Sequence, residues 1–341
     1  MKGKVGFFSG YYGTGANYIA APATTGGVNV YPFNANGFGL KFNSPATVPG
    51  GTITAVAFSD DKSFIAVGHS SSPYISVYPW NDFGFGAKFS NPGTLPPIGG
   101  INVVAFSPAA DALAVTFNAS PRLYVYPWSS SGFGTVFSNP GTLPGGNGND
   151  VAFSPAGDAI AIPHPTSPRI AVYAWSGSGF GTKFSNPATI PTGDGRGVAF
   201  SPAGDAIAVA HATSPFISVY PWSGSGFGTK FSNPSTLPAG TGNKVAFSPA
   251  GDAIAIGHST SPFISVYAWS GSGFGSKFSD PASLPASTGN QVKFSPDGNY
   301  IALAHVTSPF LAVYPWSGSG FGTRFSNPAN LPSGGLSVSI I

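Results

Sequence analysis

The chain has 341 residues, of which 7% are charged; its 11 acidic residues are all Asp, and its formal net charge is +3. So small an excess over so long a chain makes a weak field, and we expect no nucleic-acid partner. The absence of Cys excludes disulfides and thiolate metal sites, and 48 Gly with 34 Pro disfavour helices. Because 42% of the residues are hydrophobic, we expect a folded, all-β protein.

One phrase of 47 or 48 residues is repeated along the chain. A period of this length indicates a solenoid, a propeller or an array. Within each copy, apolar residues alternate over strand lengths between Gly, Pro and Ser turns. Each copy therefore predicts four strands, which in the sixth copy are VAFS, AIAIGH, FISVYAW and FGSKFS. Aligned on the Phe of VAFSP, the copies fall at Phe58, Phe106, Phe153, Phe200, Phe247 and Phe294, with a poorer copy at Phe8.

Four antiparallel strands per 40 to 50 residues are typical of a β-propeller blade, so seven copies predict a seven-bladed β-propeller. We expect a single domain over residues 1–341. Its repeats start near residues 5, 55, 103, 150, 197, 244 and 291, and residues 336–341 (LSVSII) form an extra closing or partner-pairing strand.

Both ends of the chain offer an inner strand to the first blade. The head offers Val5–Ser9, and the tail offers LSVSII, with Ile341 at the position that Phe holds in the other copies. Eight inner strands thus compete for seven places. We favour the head strand in the first blade.

The copies resemble known propeller families. First strands such as VKFSPDG (292–298), a short second strand and an aromatic end to the third are similar to WD-repeat propellers over essentially the whole chain. The Gly-His and Trp-Asp pairs of that family are missing, so the resemblance implies the architecture alone. The phrase YPWSGSGFGTKFSNPSTLP (220–238) also resembles propeller proteins of tailed bacteriophages, which implies a virion-associated role.

All the histidines share one repeat position, at the end of the second strand. Equivalent positions on different blades are too far apart to hold one metal ion, and no carboxylate accompanies them locally. We therefore expect no metal and interpret the imidazoles as structural groups that bond the following turn. They are His69, His164, His211, His258 and His305.

The tryptophans are repeated as regularly. A sugar-binding propeller would use such rings as stacking platforms, one for each blade. In the interpretation that we favour, they instead fill the wide outer wedge between blades. They are Trp80, Trp128, Trp175, Trp222, Trp269 and Trp316.

The loops of the two rims differ in how faithfully they are copied. The first rim holds the loops between blades and those between the second and third strands; its inter-blade loops vary, whereas the second rim repeats almost unchanged. Such divergence indicates either a tolerant loop or a contact with a partner that lacks sevenfold symmetry. With an aromatic pair in the first copy, the candidate partner-binding residues are Tyr11, Tyr12, Asp150, Asp194, Arg196, Lys244 and Gln291.

Three kinds of function fit these observations. The sequence shows no nucleophile with its base, no metal cluster and no phosphate loop, which favours a non-enzymatic structural protein without a cofactor. With the phage resemblance, we expect a virion component that docks to other structural proteins and contacts a host-surface glycan or receptor. The alternative is a lectin-like, multivalent carbohydrate-binding propeller. The least favoured is an enzyme, such as a lyase or lactonase, that uses the central mouth.

The expected location follows from the start of the chain and from the absence of long apolar runs. MKGKVGFFSGYYGTG contains no apolar run of signal-peptide length, and no later segment is long enough for a membrane span. We therefore expect assembly in the host cytoplasm, without membrane insertion.

Overall fold

The computed structural model of the chain describes residues 17–23, 27–97 and 100–341. These residues form 26 strands in seven antiparallel sheets and no helix, which confirms the predicted all-β, seven-bladed propeller. The described part of the chain accordingly contains no helix that could cross a membrane.

The first four blades each have four strands, and in blade 1 one of the four is the last strand of the chain, β26 (Ser339–Ile340). Blade 1 contains β1 (Asn17–Pro22), β2 (Val28–Asn34) and β3 (Gly37–Phe38), and blade 2 contains β4 (Ile53–Phe58), β5 (Phe64–His69), β6 (Ile75–Asn81) and β7 (Gly84–Phe85). Blade 3 contains β8 (Ile101–Phe106), β9 (Ala112–Phe117), β10 (Leu123–Ser129) and β11 (Gly132–Phe133). Blade 4 contains β12 (Ala152–Phe153), β13 (Ala159–Pro163), β14 (Ile170–Ser176) and β15 (Gly179–Lys183).

The remaining blades follow the same order from the channel outward. Blade 5 contains β16 (Gly195–Phe200), β17 (Ala206–His211) and β18 (Ile217–Pro221), and blade 6 contains β19 (Gly242–Phe247), β20 (Ala253–His258), β21 (Ile264–Ser270) and β22 (Gly273–Lys277). Blade 7 contains β23 (Gly289–Phe294), β24 (Tyr300–His305) and β25 (Leu311–Pro315), and the last strand is β26 (Ser339–Ile340). In blades 5 and 7 the fourth strand is reduced to the single bridges Trp222–Phe227 and Trp316–Phe321.

The second strand of each blade is apolar on both faces because a blade packs against a neighbour on each side. All six residues of β20 (AIAIGH) are buried, with small Ala side chains on one face and Ile on the other. The alternation of small and large residues lets adjacent sheets approach closely. The core is thus divided into seven similar wedges.

The tryptophans fill the outer part of these wedges. Trp222 is 5% exposed and meets Phe184 of blade 4 edge-on, with ring centroids 5.0 Å apart. Within its own blade it meets Phe200 and Phe227 at 5.6 and 5.2 Å. All six tryptophans are between 3% and 6% exposed. Such rings pack between blades and have no open face on which a sugar could stack.

A second aromatic row, which the sequence analysis did not single out, joins successive blades. The Tyr220 hydroxyl, on the third strand of blade 5, donates a hydrogen bond of 2.7 Å to the carbonyl of Thr189, in the segment that leaves blade 4. Tyr31 of blade 1 donates in the same way to Asn330, after blade 7. These bonds attach each such blade to the one before it, including across the closure of the ring.

The ring is closed by the carboxyl terminus. β26 pairs antiparallel with β1, and Tyr18 and Ile341 exchange two backbone hydrogen bonds of 2.7 and 3.0 Å. Because β1 has β2 on its other side, the tail holds the innermost place in this sheet. The prediction that Val5–Ser9 takes this place was therefore wrong. Val5–Ser9, Tyr11 and Tyr12 lie outside the described residues.

The register of the tail also differs from the prediction. Ile340 lies opposite Ile19, as Phe294 lies opposite Ile301 in blade 7, so Ile340 and not Ile341 holds the Phe position. The distance from Phe294 to Ile340 is one residue shorter than the period of 47. The residue that matches Phe294 is therefore Ile340, one position before the residue that the period predicts. The side chain of Ile341 is then buried at the ring's inner edge, 4% exposed.

Candidate functional site: the central channel

The channel wall is built from alternate residues of the seven inner strands. Successive side chains of a strand point to opposite sides, so each inner strand directs two of them toward the axis. The ring nearer the first rim consists of Ala55, Val103, Asp150, Gly197, Lys244, Gln291 and Ser337. The ring nearer the second rim consists of Ala57, Ala105, Ala152, Ala199, Ala246, Lys293 and Ser339.

Two cavities occupy the channel. The inner chamber, about 400 Å³, extends from these rings to Asp60 and Pro296 at the second rim. The mouth chamber, about 520 Å³, opens at the first rim between Asn149 and Asn290. Lys244 lines both.

A nearly buried ion pair crosses the wall between the chambers. Lys244 Nζ on blade 6 lies 3.0 Å from Asp150 Oδ1 at the start of blade 4, and the two side chains are 13% and 9% exposed. Burial lowers the pKa of Lys244, and the Asp150 carboxylate opposes that shift. The pair therefore joins two blades that are not adjacent, past the edge of blade 5.

Every charged atom of this pair has further partners. The Asp150 carboxylate accepts hydrogen bonds from the backbone N–H groups of Val151 and Val198, both 3.0 Å long. Lys244 Nζ also donates to the carbonyl of Asn149 at 2.8 Å. Gly197 of blade 5 lies between the two blades that the ion pair joins. A Cβ at this position would lie 2.6 Å from the Lys244 Cα, so only glycine leaves room for Lys244 to pass. Such a fully bonded pair holds the wall together and leaves little for a ligand to bind.

The inner chamber contains two charged residues that the sequence analysis did not select, Asp60 and Lys293. Asp60 is exposed to the open chamber, yet partial desolvation raises its pKa above the ordinary value of 3.8; the charge of Lys293 opposes this rise, and neighbouring Asp61 adds to it. Both residues break the repeat. Lys293 stands where most copies have Ala, and Asp60 stands at the Pro of SPAGD. A search of the most faithfully copied phrase for positions that differ from the other copies would have identified both residues.

The structure brings most of the predicted loop residues to the channel. Asp150 and Lys244 form the ion pair, Gln291 lines the inner chamber, and Asp194 and Arg196 line the mouth chamber. Asp194 is itself paired with Arg169, 2.6 Å away. The variable loops of the first rim therefore surround one opening.

The histidines lie away from both chambers, buried inside the blades. His258 Nε2 lies 3.0 Å from Ser265 Oγ, and His69 and His211 bond equivalent serines at 3.1 Å. Burial lowers the pKa of four rings to about 4, which keeps them neutral; they are His164, His211, His258 and His305. Among the residues that the structure describes, no group of three His, Asp or Glu side chains could hold a metal ion.

Comparisons with known proteins place the chain among solved propellers. A candidate 6-phosphogluconolactonase of Bacteroides uniformis has a TM-score of 0.72 and 15% identity, and the alignment covers 96% of this chain and 99% of that one. A second candidate 6-phosphogluconolactonase, from Bacteroides fragilis, has a TM-score of 0.72 and 10% identity over 96% and 98%. The periplasmic gluconolactonase of Pseudomonas aeruginosa has a TM-score of 0.69 and 16% identity over 96% and 99%. No protein-family model matches the chain, and no curated protein matches its sequence significantly.

These similarities contradict the two main functional predictions. The similar propellers include lactonases, which contradicts the prediction of a non-enzymatic protein and the predicted virion role with its lectin-like alternative. The error came from the repeat, because side chains copied seven times could not single out a catalytic set. At 10% to 16% identity the likeness establishes the fold alone.

Proposed function

We propose that the protein is a hydrolase that opens a small sugar-acid lactone in the inner chamber. The observation that carries the proposal is the presence of Asp60 and Lys293, a carboxylate with a raised pKa and an ammonium group, on one cavity of about 400 Å³. Such a volume suits a small ligand. The lactonases among the similar propellers supply the substrate class.

The two side chains would divide the reaction between them. The Asp60 carboxylate accepts a proton from water as the water oxygen adds to the lactone carbonyl carbon, and the Lys293 ammonium stabilises the oxyanion that forms. The ring C–O bond then breaks, and Asp60 returns the proton to the departing alkoxide. A base works best when its pKa lies near the working pH, so the raised pKa of Asp60 favours this role. The product is the open hydroxy acid, and no co-reactant other than water is needed.

The opposite wall of the chamber gives the substrate room. Ala55, Ala57 and Ala105 present only methyl groups to the axis on blades 2 and 3. Asp60 borders this wall at the second rim, in the turn after the inner strand of blade 2, whereas Lys293 lies on blade 7 and the two serines lie on the closing strand. The substrate's apolar face would lie against blades 2 and 3, with its carbonyl toward Lys293.

The test measures proton release from glucono-δ-lactone and 6-phosphoglucono-δ-lactone in a pH-stat, with spontaneous opening subtracted. We expect Asp60→Asn to lower kcat/KM by about 10²- to 10⁴-fold and Lys293→Met by about 10²- to 10³-fold. Lys230→Met, in the outermost segment of blade 5, is the matched control and should leave the rate unchanged. Rates equal to spontaneous opening with both lactones would overturn the proposal, and full activity in Asp60→Asn would exclude this chamber as the site.

The pH profile gives a second, independent readout. Activity should fall on the acid side as Asp60 is protonated, because the base form is then lost. Since Lys293 lowers the pKa of Asp60, removing its charge should raise that pKa. In Lys293→Met the acid limb of the residual activity is therefore expected to move to higher pH. A limb that stays in place would show that Asp60 is not the titrating base.

A further inference from the structure

The mouth chamber carries a ring of fixed carboxamides. At one repeat position in four blades, an Asn side chain donates through Nδ2 to a glycine carbonyl that leads into the next blade or into the closing strand. Three of these residues are second in their inner strands, and Asn149 lies three residues before β12. Asn149 donates to Gly195 at 2.7 Å and Asn243 to Gly289 at 2.9 Å. The other two donate at 3.0 and 2.8 Å, Asn102 to Gly148 and Asn290 to Gly335. Each bond fixes the orientation of its carboxamide at the rim of the chamber.

Blade 5 interrupts this ring with an arginine. Arg196 takes the Asn position, is exposed, and lines the chamber. Within the described part of the chain, one long hydrogen bond of 3.4 Å to Asn243 Oδ1 holds its guanidinium. Most of its N–H donors are therefore free to meet a ligand.

The charge of Arg196 is not compensated by the nearby carboxylates. Asp194 is paired with Arg169 at 2.6 Å, and Asp150 with Lys244 at 3.0 Å. No described carboxylate lies within ion-pair distance of Arg196 itself. The chamber thus presents one unpaired positive charge, in a cavity of about 520 Å³.

We infer that the mouth chamber binds a small hydroxylated carboxylate, independently of the reaction proposed for the inner chamber. A guanidinium matches a carboxylate in shape and charge, and a single unpaired cation suits a monoanion better than a phosphate dianion. The fixed carboxamides of Asn149 and Asn290 supply hydrogen-bonding groups for hydroxyls. On the other side, Leu336, which is 49% exposed, offers an apolar contact for C–H groups.

The test is calorimetric titration with sodium gluconate and, as an uncharged polyol of the same carbon number, sorbitol. We expect saturable gluconate binding, at least tenfold weaker sorbitol binding, and an affinity that falls as salt is raised. Arg196→Gln should weaken gluconate binding at least tenfold. Lys230→Gln, in the outermost segment of blade 5, is the matched control and should bind as the parent protein does.

Lys293→Met separates this inference from the proposed function, because gluconate could also bind as a reaction product in the inner chamber. If binding is lost in Lys293→Met and kept in Arg196→Gln, the ligand lies in the inner chamber and the inference is wrong. Equal binding of sorbitol and gluconate, or no saturation up to about 20 mM gluconate, would also overturn it. Binding lost only in Arg196→Gln supports it, even if no lactone is hydrolysed.

Discussion

The wedges between blades and the wall of the channel are built from the same inner strands, yet the two sides differ. The side that faces the wedge has Val at one position in all seven blades, from Val56 to Val338. The adjacent position, which faces the channel, carries Ala, Val, Asp, Gly, Lys, Gln and Ser in turn. A wedge must be filled to crystal-like density by whatever the neighbouring blade offers, so its side chains are copied. The channel imposes no such packing at this position, and the side chains there differ from blade to blade.

In a repeated chain, the copied and the unrepeated side chains therefore serve different purposes. Residues that are copied in six or seven blades serve the interfaces between blades, as Trp222 and Tyr220 do. Residues that break the repeat and face the axis, such as Asp60 and Lys293, are the ones that can act together on a ligand. Three experiments test whether the wedges and the channel wall differ in this way.

Lowering the pH should have the largest effect on the free energy of unfolding, because it acts on a buried histidine in each of four blades at once. The pKa of four buried histidines is lowered from 6.5 to about 4, so the unfolded chain binds more protons between these values. Stability is therefore full above pH 6.5 and falls as the pH drops toward 4, by about 3 kcal/mol for each ring. The sum approaches the whole stability of a typical domain, about 5–15 kcal/mol.

Urea titrations at several pH values between 4.5 and 7.5 would check this. His258→Asn should cost about 1 kcal/mol at neutral pH, through the lost bond to Ser265, and should reduce the slope of stability against pH by about a quarter. Equal slopes in the parent and the variant would show that these rings do not titrate on unfolding.

The ion pair of the channel wall should give the next largest effect. Lys244→Met leaves the Asp150 carboxylate buried without its cation, which is expected to cost about 3–5 kcal/mol in the free energy of unfolding. The double variant Lys244→Met with Asp150→Asn should recover part of this loss, since the unpaired charge is then gone. Urea unfolding of the three proteins measures both effects. A loss below about 1 kcal/mol in the single variant would mean that the pair is solvated and does not clamp the wall.

The smallest effect is expected from a comparison of two tyrosines that hold the same repeat position in different blades. Tyr220 donates a hydrogen bond of 2.7 Å to Thr189, whereas the hydroxyl of Tyr173, at the same position in blade 4, is buried without a partner. Tyr220→Phe should therefore cost about 1 kcal/mol, and Tyr173→Phe should be neutral or slightly stabilising. The midpoints of urea unfolding compare the two directly. Equal costs would show that the hydroxyl bond contributes nothing to holding one blade on the next.

The candidate site could be located from the sequence only in part. Divergence of the inter-blade loops led to Asp150, Asp194, Arg196, Lys244 and Gln291, and the structure places all five at the channel. The sequence could not show that Lys244 reaches past blade 5 to Asp150, because that contact joins residues 94 positions apart. In the sequence, Asp60 looks like any other turn residue. Only the closed ring brings it to the inner chamber that Lys293 also lines.

The number of blades, the four-stranded unit and the residues that fill the wedges follow from the sequence. A period of 47 residues combined with a period of two leaves few other ways to bury so many apolar side chains. Tertiary structure alone decided the closure of the ring. Val5–Ser9 and the tail offer similar apolar patterns, and the tail holds the place through pairing with β1, with Ser337 and Ser339 accepting hydrogen bonds from the backbone of blade 2. Only the closed ring brings single, unrepeated side chains from different blades to one channel, because each copy supplies no more than a seventh of that wall.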